Sequence, residues 1–209
     1  ETIPHRITNQ LNTHSQQKLK GIIFDLDGTL ADTHLDFPKI RRDANIPEGR
    51  PILEYCAALE NKKEVSRILA IVEKHELDGA RRARWLFDAQ EVLCRYSEAK
   101  IPMAIVTRNM QVASMLTIKT LGIPIDLVIT REDCQPKPSP EGLLMVAEHW
   151  QIAPAQLAYV GDYKFDLVAA KNAGMMACLI QNQRNKAFSH LADKVIDRFV
   201  QLNVHFDLD

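Results

Sequence analysis

Long apolar runs, paired cysteines and an excess of positive charge are all missing from this sequence. No stretch approaches the roughly 18–20 consecutive apolar residues that a membrane-spanning helix requires. The 4 cysteines lie far apart without a Cys-x-x-Cys pair, which favours a reducing compartment over a disulfide framework. Lysine and arginine total 26 against 27 aspartates and glutamates, so no basic field attracts nucleic acid. We therefore expect a cytoplasmic protein that binds neither nucleic acid nor a membrane.

Histidine pairs and internal repeats are absent as well. The 7 histidines include no His-x-x-x-His spacing, which argues against a histidine-based zinc site. The length of 209 residues allows one domain with a modest insertion, and 46% hydrophobic residues are enough for a full core. Residues 1–19 are polar, lack the apolar stretch of a secretory signal, and are predicted to be an extension of that core.

Short apolar runs recur along the chain, and each ends in a turn or a polar residue, as buried strands of a parallel sheet do. The predicted strands are Gly21–Phe24, Ile101–Val106, Ile125–Ile129, Leu157–Val160 and Met176–Ile180. Helical patterns separate the later strands at Met110–Leu121, Pro140–Trp150 and Lys164–Ala173. This alternation predicts an α/β fold, with a Rossmann-like three-layer core in which helices cover both faces of a parallel sheet.

The alternation is interrupted once, after the first predicted strand. The following residues, 36–100, show no strand-like run and instead contain amphipathic helical segments at Pro38–Ala44, Ile52–Leu59, Glu64–His75 and Trp85–Ala99. A helical stretch inserted between two strands cannot belong to the sheet, so residues 36–84 are predicted to form a small helical cap. The helix that starts near Trp85 returns to the core, which comprises residues 20–35 and 85–209.

Two aspartates directly after the first predicted strand are the strongest functional signal. Asp25 and Asp27 point the same way from an extended segment, at the carboxyl end of the strand, where open α/β sheets bind ligands. Neighbouring carboxylates repel unless a cation, a proton or a basic side chain compensates, and Mg²⁺ suits such hard oxygen ligands. An acidic loop that makes a simple turn at Asp27–Gly28 is the alternative.

The segment Asp25-Leu26-Asp27-Gly28-Thr29 resembles the first motif of the haloacid dehalogenase-like phosphatase superfamily. That family also has a Thr or Ser after its second core strand, a Lys before a later helix and an acidic pair after its fourth strand. The matching residues, in the same order, are Thr107, Lys137, Asp162 and Asp166. Taken singly, Thr107 could cap a helix, Lys137 could be a solvated lysine, and Asp166 could complement a helix N-terminus. Four motifs in order are far more specific, and the chain is identified as a member from residue 20 to about residue 180.

The resemblance implies a phosphomonoester hydrolase that acts through an aspartyl-phosphate intermediate. Asp25 would be the nucleophile and Asp27 the general acid and base, with Thr107 and Lys137 completing the catalytic set. The implied ligands of Mg²⁺ are the Asp25 carboxylate, the Asp27 backbone carbonyl and Asp162, with Asp166 in support. The implied phosphate- and substrate-binding residues are Gly28, Thr107, Arg108, Asn109 and Lys137.

Membership in this superfamily leaves the reaction open. An acid at Asp27 favours phosphate-ester hydrolysis, because the dehalogenases and phosphonate-cleaving members that resemble this chain usually lack it. A phosphomutase of the β-phosphoglucomutase type keeps the same motifs, and a non-catalytic binding or regulatory protein on this fold is the alternative outside the enzymes.

The predicted cap is rich in arginine, and arginine binds a second carboxylate or phosphate well. Its arginines are Arg41, Arg42, Arg50, Arg81, Arg82 and Arg84. We therefore expect the partner to be a small acidic phosphorylated metabolite of the phosphoglycolate or sugar-phosphate type. The protein itself is expected to be a monomer or a weak homodimer.

Overall fold

A computed structural model describes residues 18–208 of the chain, and its strands form two sheets. The strands of this region are, in chain order, β1 Gly21–Phe24, β2 Ala31–Asp32, β3 Arg84–Trp85, β4 Met103–Val106, β5 Leu127–Ile129, β6 Leu157–Gly161, β7 Met176–Ile180 and β8 Lys194–Ile196. Six of them form a parallel sheet in the order β5-β4-β1-β6-β7-β8. The other two, β2 and β3, pair as a short antiparallel ribbon.

Helices cover both faces of the parallel sheet. The α-helices of the described residues are α1 Phe37–Ala44, α2 Ile52–Ala57, α3 Lys62–Arg81, α4 Ala89–Glu98, α5 Gln111–Leu121, α6 Glu141–Trp150 and α7 Lys164–Ala173. Residues from α4 and α5 bury one face of the sheet, and residues from α6 and α7 bury the other. The predicted Rossmann-like three-layer α/β core is therefore confirmed.

Strand β1 lies at the centre of the sheet, and this position explains why its sequence is apolar without interruption. Ile22 and Phe24 belong to the apolar cluster on the α4 face, whereas Ile23 belongs to the cluster on the α7 face. Alternate side chains of a strand point to opposite faces, and both faces are covered here. This burial fixes the position of the aspartates that follow Phe24.

The segment between β2 and β3 contains α1, α2 and α3, which we call the helical insertion. These helices share an apolar cluster of their own, built on buried residues Ile40, Ala44, Ile46, Ile52, Cys56, Ile68 and Val72. A separate small core lets the insertion pack without contributing to the sheet. The division into a core and a cap domain at residues 36–84 stays a prediction.

Several local elements differ from the sequence predictions. Arg84–Trp85 is a strand rather than the start of a helix, and α4 begins only at Ala89. Strand β8 was not predicted, because Lys194–Ile196 is a three-residue edge strand with an exposed central side chain. Helix α3 extends from Lys62 to Arg81, well beyond the predicted Glu64–His75. Very short strands leave no readable alternation, which is why β2 and β3 were missed.

The chain ends of the described region meet beside the core. Leu19 is buried, and its backbone N–H donates to the carbonyl of His205 at 3.0 Å. Residues 1–17 of the predicted polar extension lie outside the described residues. Within residues 18–208, no helix is both long enough and apolar enough to cross a membrane.

Candidate active site

The site residues predicted from the sequence meet at one edge of the sheet. Parallel strands end at the same edge, so segments that are far apart in the sequence come together there. The segments after β1, β4 and β6, together with the loop before α6, supply Asp25, Asp27, Thr107, Lys137, Asp162 and Asp166. Carboxylate oxygens of Asp25, Asp162 and Asp166 all lie within 4.8 Å of one another.

The ammonium group of Lys137 lies among these carboxylates. Its Nζ is 2.7 Å from Oδ1 of Asp25 and 2.6 Å from Oδ1 of Asp166, and the residue is only 4% exposed. Burial lowers the pKa of this amine, but the charges of Asp166 and Asp25 more than compensate and raise the pKa above its ordinary value. Lys137 is therefore a buried cation that joins two carboxylates, and not a solvated surface lysine.

The negative charge at the site exceeds the single positive charge of Lys137. Burial raises the pKa of Asp25 to about 7, although Lys137 acts in the opposite direction. Burial, and then the charge of Asp166, raises the pKa of Asp162 well above its ordinary range. A bound divalent cation would relieve this repulsion, and three carboxylate oxygens are ligands that Mg²⁺ prefers. The donor set therefore fits the predicted metal.

Asp27 has a different environment from the other aspartates. Its Oδ1 accepts hydrogen bonds from the hydroxyl and, at 3.2 Å, from the backbone N–H of Thr33. Burial raises the pKa of Asp27 to about 6, although the Thr33 bonds lower it. A carboxyl group with such a pKa can both give and take a proton near neutral pH. Thr33, which the sequence reasoning did not single out, fixes the direction of this group.

The structure bears on the alternative roles of Thr107 and Asp166 as helix-capping residues. Thr107 does not cap the next helix, since the N-cap residue of α5 is Met110. Its hydroxyl oxygen instead accepts a bond of 3.1 Å from the N–H of Asn109, so the hydroxyl proton is free for another acceptor. Oδ2 of Asp166 accepts from the N–H of Tyr163 at the start of α7, while Oδ1 faces Lys137, and the support that Asp166 gives to a metal stays a prediction.

Glycine is required where the acidic segments approach each other. A Cβ atom on Gly161 would lie 2.3 Å from the Cβ of Asp166, so only glycine permits this contact. Asn185, another residue that the sequence reasoning missed, is buried and donates to the carbonyls of Asp162 and Ile180 at 2.9 and 3.0 Å. These contacts hold the loop after β6 against the end of β7.

Gly28 provides a direct test of this packing. It has φ +78°, and an added Cβ would lie 2.6 Å from Oδ2 of Asp162. We predict that Gly28→Ala lowers kcat/KM for a phosphomonoester by about 100-fold and weakens Mg²⁺ binding, because Asp162 must move. Gly122→Ala is the matched control, since Gly122 has φ +66° and open space around it. Equal losses in both variants would contradict the prediction, because they would arise from backbone strain alone.

Arg108 lies at the rim of the site but is already paired. Its Nη2 is 2.7 Å and 2.9 Å from the two carboxylate oxygens of Glu54 on α2, and its Nη1 donates to the carbonyl of Lys137 at 2.5 Å. The guanidinium also stacks on the ring of Phe165, 4.7 Å from its centroid. Arg108 therefore links the helical insertion to the loop that contains Lys137.

The charged contacts between the helical insertion and the core were not predicted from the sequence. Acidic side chains of the insertion meet arginines of the core: Glu54 pairs with Arg108, and Glu76 pairs with Arg131 at 2.5 Å. Glu76 also accepts from the N–H of Met110 at 3.0 Å. Two of the arginines of the predicted cap, Arg81 and Arg82, bond to Asp78 of α3, as expected for arginines on a solvated helix face.

The arrangement is one that a known protein family shares. A family profile described as "Haloacid dehalogenase-like hydrolase" matches residues 38–180, a region that includes Thr107, Lys137 and Asp162. Because this match covers more than half of the chain, the protein belongs to the haloacid dehalogenase-like hydrolases. The family predicted from the motifs is confirmed, and with it the class of enzyme.

Relatives of known name agree with this assignment. A haloacid dehalogenase-like hydrolase domain-containing protein of Arabidopsis thaliana is 28% identical over 182 residues, covering 81% of this chain and 74% of its own. A phosphoglycolate phosphatase of Vibrio vulnificus is 29% identical over 188 residues, covering 77% of this chain and 82% of its own. The chain is thus similar to these proteins over most of their length.

Solved structures share the fold at lower sequence identity. A putative haloacid dehalogenase-like hydrolase from Bacteroides fragilis has a TM-score of 0.74 at 20% identity, covering 88% of this chain and 100% of its own. A β-phosphoglucomutase from Clostridium difficile has a TM-score of 0.68 at 18% identity, covering 90% and 97%. At these identities the likeness concerns the fold alone.

Proposed function

We propose that this protein is a Mg²⁺-dependent phosphomonoesterase that hydrolyses a small phosphorylated metabolite through an aspartyl-phosphate intermediate. The buried contact of 2.7 Å between Asp25 and Lys137, beside the carboxylates of Asp162 and Asp166, is the observation that carries this proposal. A carboxylate can attack a phosphate dianion only if nearby positive charge offsets their repulsion. A lysine and a metal-binding group beside Asp25 supply that charge. The name of the Vibrio vulnificus relative supports the choice of a phosphatase.

The first half of the reaction forms a bond between Asp25 and phosphorus. A carboxylate oxygen of Asp25 attacks in line, the bond from phosphorus to the ester oxygen breaks, and the leaving oxygen takes a proton from Asp27. The contact with Thr33 holds Asp27 in place for this transfer. The ammonium of Lys137 and the hydroxyl of Thr107 stabilise the charge on the transferring oxygens.

The second half of the reaction restores the enzyme. Asp27, now ionised, takes a proton from a water molecule whose oxygen attacks the phosphorus of the aspartyl phosphate. Inorganic phosphate leaves, and Asp25 is again a carboxylate. The pKa of about 6 for Asp27 suits a group that must alternate between both forms.

The residues that would hold Mg²⁺ are Asp25, Asp162 and Asp166, together with the backbone carbonyl of Asp27. When bound, the ion supplies positive charge that offsets the repulsion between the Asp25 carboxylate and the phosphate. The chain contributes the geometry. Gly28 and Gly161 let the carboxylates approach each other, and the buried Lys137 pairs with two of them.

The rim of the site supports our choice of substrate class. Arg108 binds a carboxylate there, that of Glu54, through two short contacts. A substrate with a carboxylate or a second phosphate can take the place of Glu54, because planar guanidinium groups favour such anions. Small acidic phosphomonoesters such as phosphoglycolate are therefore our preferred substrates.

The substrate class can be tested with Arg108→Gln. We expect its KM for phosphoglycolate to rise about 10-fold, whereas its KM for para-nitrophenyl phosphate, which has no second anion, changes within about twofold. Arg81→Gln is the control, because Arg81 pairs on its own helix with Asp78. An equal change for both substrates would show that Arg108 does not select the second anion.

A phosphomutase of the β-phosphoglucomutase type is the second candidate. Its support is the fold that this chain shares with the β-phosphoglucomutase from Clostridium difficile, and the two proteins are similar in fold alone. The two functions separate when a sugar monophosphate is supplied with Mg²⁺: release of inorganic phosphate supports the hydrolase, and transfer of phosphate between sugar positions supports the mutase. The cytoplasmic location and the monomeric or weakly dimeric state stay predictions.

A further inference from the structure

Tyr159 is a polar residue in the middle of a buried strand. It is fully buried in β6, where it pairs with Ile23 of β1 on one side and Ala177 of β7 on the other. Its neighbours in the apolar cluster include Leu143 and Leu167. A hydroxyl group is costly in such surroundings unless it has hydrogen-bond partners.

The hydroxyl group of Tyr159 finds its partners in the active site. It accepts a hydrogen bond of 2.6 Å from Nζ of Lys137 and donates one of 2.8 Å to the backbone carbonyl of Val106. It also lies 3.3 Å from Oδ1 of Asp166. The side chain thus reaches from the apolar core to the ammonium group that contacts Asp25.

The geometry around Lys137 gives this contact its importance. An ammonium group has three N–H donors, and here the nearest acceptors are Asp25, Asp166 and the hydroxyl of Tyr159, at 2.6–2.7 Å. The carbonyl of Val106 is more distant, at 3.2 Å. Tyr159 therefore determines the direction of the third N–H, and with it the orientation of the other two.

We propose that Tyr159 is a positioning residue, whose hydroxyl holds the ammonium of Lys137 against the nucleophile Asp25. This inference rests on the proposed function, in which Lys137 stabilises the transferring phosphoryl group. Without the hydroxyl, the third N–H has only the Val106 carbonyl as a near acceptor, and that carbonyl has lost the Tyr159 donor. The ammonium is then drawn towards Val106 and away from Asp25.

Tyr159→Phe removes the hydroxyl and keeps the ring. We expect kcat with para-nitrophenyl phosphate to fall about 10- to 100-fold while KM changes less, because the contact acts on the reacting group. Tyr96→Phe is the matched control: Tyr96 is equally buried, and its hydroxyl has no hydrogen-bond partner within residues 18–208. A Tyr159→Phe enzyme as active as Tyr96→Phe would overturn the proposal.

A double-mutant cycle separates positioning from a general loss of folding. If Tyr159 acts through Lys137, adding Tyr159→Phe to Lys137→Met should cost within about twofold more than Lys137→Met alone. Full additivity of the two losses would mean that the hydroxyl supports the fold independently of the lysine. Binding of orthovanadate, measured by calorimetry, provides the same comparison where turnover of the Lys137→Met variants is too slow.

A spectroscopic measurement tests the contact without turnover. The ammonium resonance of Lys137 can be detected through ¹⁵N and assigned with Lys137→Arg. We expect the ammonium protons to exchange with water faster in Tyr159→Phe than in Tyr96→Phe. An unchanged exchange rate would overturn the proposed contact. An inactive wild-type enzyme that still shows faster exchange in Tyr159→Phe would refute the phosphatase function and leave the positioning of Lys137 supported.

Discussion

Asp25→Asn is expected to abolish phosphomonoester hydrolysis, with a loss of kcat on the order of 10⁴-fold. The amide has nearly the size of the carboxylate but cannot form the aspartyl phosphate, so the reaction loses its nucleophile. Mg²⁺ and Lys137 also lose one anionic partner, since Lys137 contacts Oδ1 of Asp25 at 2.7 Å. The loss should be in kcat, measured with para-nitrophenyl phosphate at saturating Mg²⁺.

A chemical readout separates this loss from unfolding. Wild-type protein quenched during turnover should contain a phosphoryl group that hydroxylamine releases, whereas Asp25→Asn should contain none. Asp126→Asn, at an exposed position before β5, is the control and should keep full activity. The nucleophilic role would be contradicted if Asp25→Asn, in a sample with no aspartate left at position 25, retained activity within about tenfold of the wild type.

The metal-free protein is expected to lose stability as the pH rises from about 4 to about 7. In the folded state, burial raises the pKa of Asp25 from the ordinary 3.8 to about 7. Between these values the folded chain keeps a proton that the unfolded chain releases, so a rising pH favours unfolding. Above the folded pKa the loss is complete, and below the unfolded pKa it vanishes.

The size of this effect makes it measurable by thermal unfolding. A difference of this kind in one buried carboxyl group corresponds to roughly 4 kcal/mol, or a change in Tm on the order of 10 °C. Adding Mg²⁺ should restore Tm at about pH 8 and have little effect at about pH 5, because the ion binds the ionised carboxylates. Asp25→Asn should show a smaller decline with pH, because the raised pKa values of Asp27 and Asp162 still contribute to it.

The opposite slope in the metal-free protein would contradict the description of the site. If Tm in the presence of a chelator rose between about pH 4 and pH 7 in both the wild type and Asp25→Asn, the buried carboxyl groups would not have the raised pKa values that the structure indicates. Asp126→Asn again serves as a control, because Asp126 is exposed and is not one of the site residues.

Much of the core could be predicted because its signals are local. The bounds of β1 and β7 agree with the prediction, since a strand covered on both faces has a continuous apolar run. Helix α7 was also predicted with its observed ends, because an apolar face and Gly174 define it. Each of these features depends on a few neighbouring residues, which a sequence displays directly.

The site residues named by motif were predictable for a related reason. Asp25, Thr107, Lys137 and Asp162 stand at strand ends or before a helix, and parallel strands bring their ends together at one edge. The helical insertion was predicted in outline, but its ion pairs were not. Glu54 and Glu76 look like ordinary solvated acids in the sequence, and only the packing of α2 and α3 on the core gives them arginine partners.

The sequence by itself determined the α/β architecture, the family and the set of acidic and basic residues at the site. Only the tertiary structure decided how those residues are oriented, through Thr33 on Asp27, Asn185 on the loop of Asp162, and Tyr159 on Lys137. The physical reason is the sequence separation of the residues that interact. Apolar periodicity depends on adjacent residues, whereas a hydrogen bond between distant segments forms only after the sheet has brought them together.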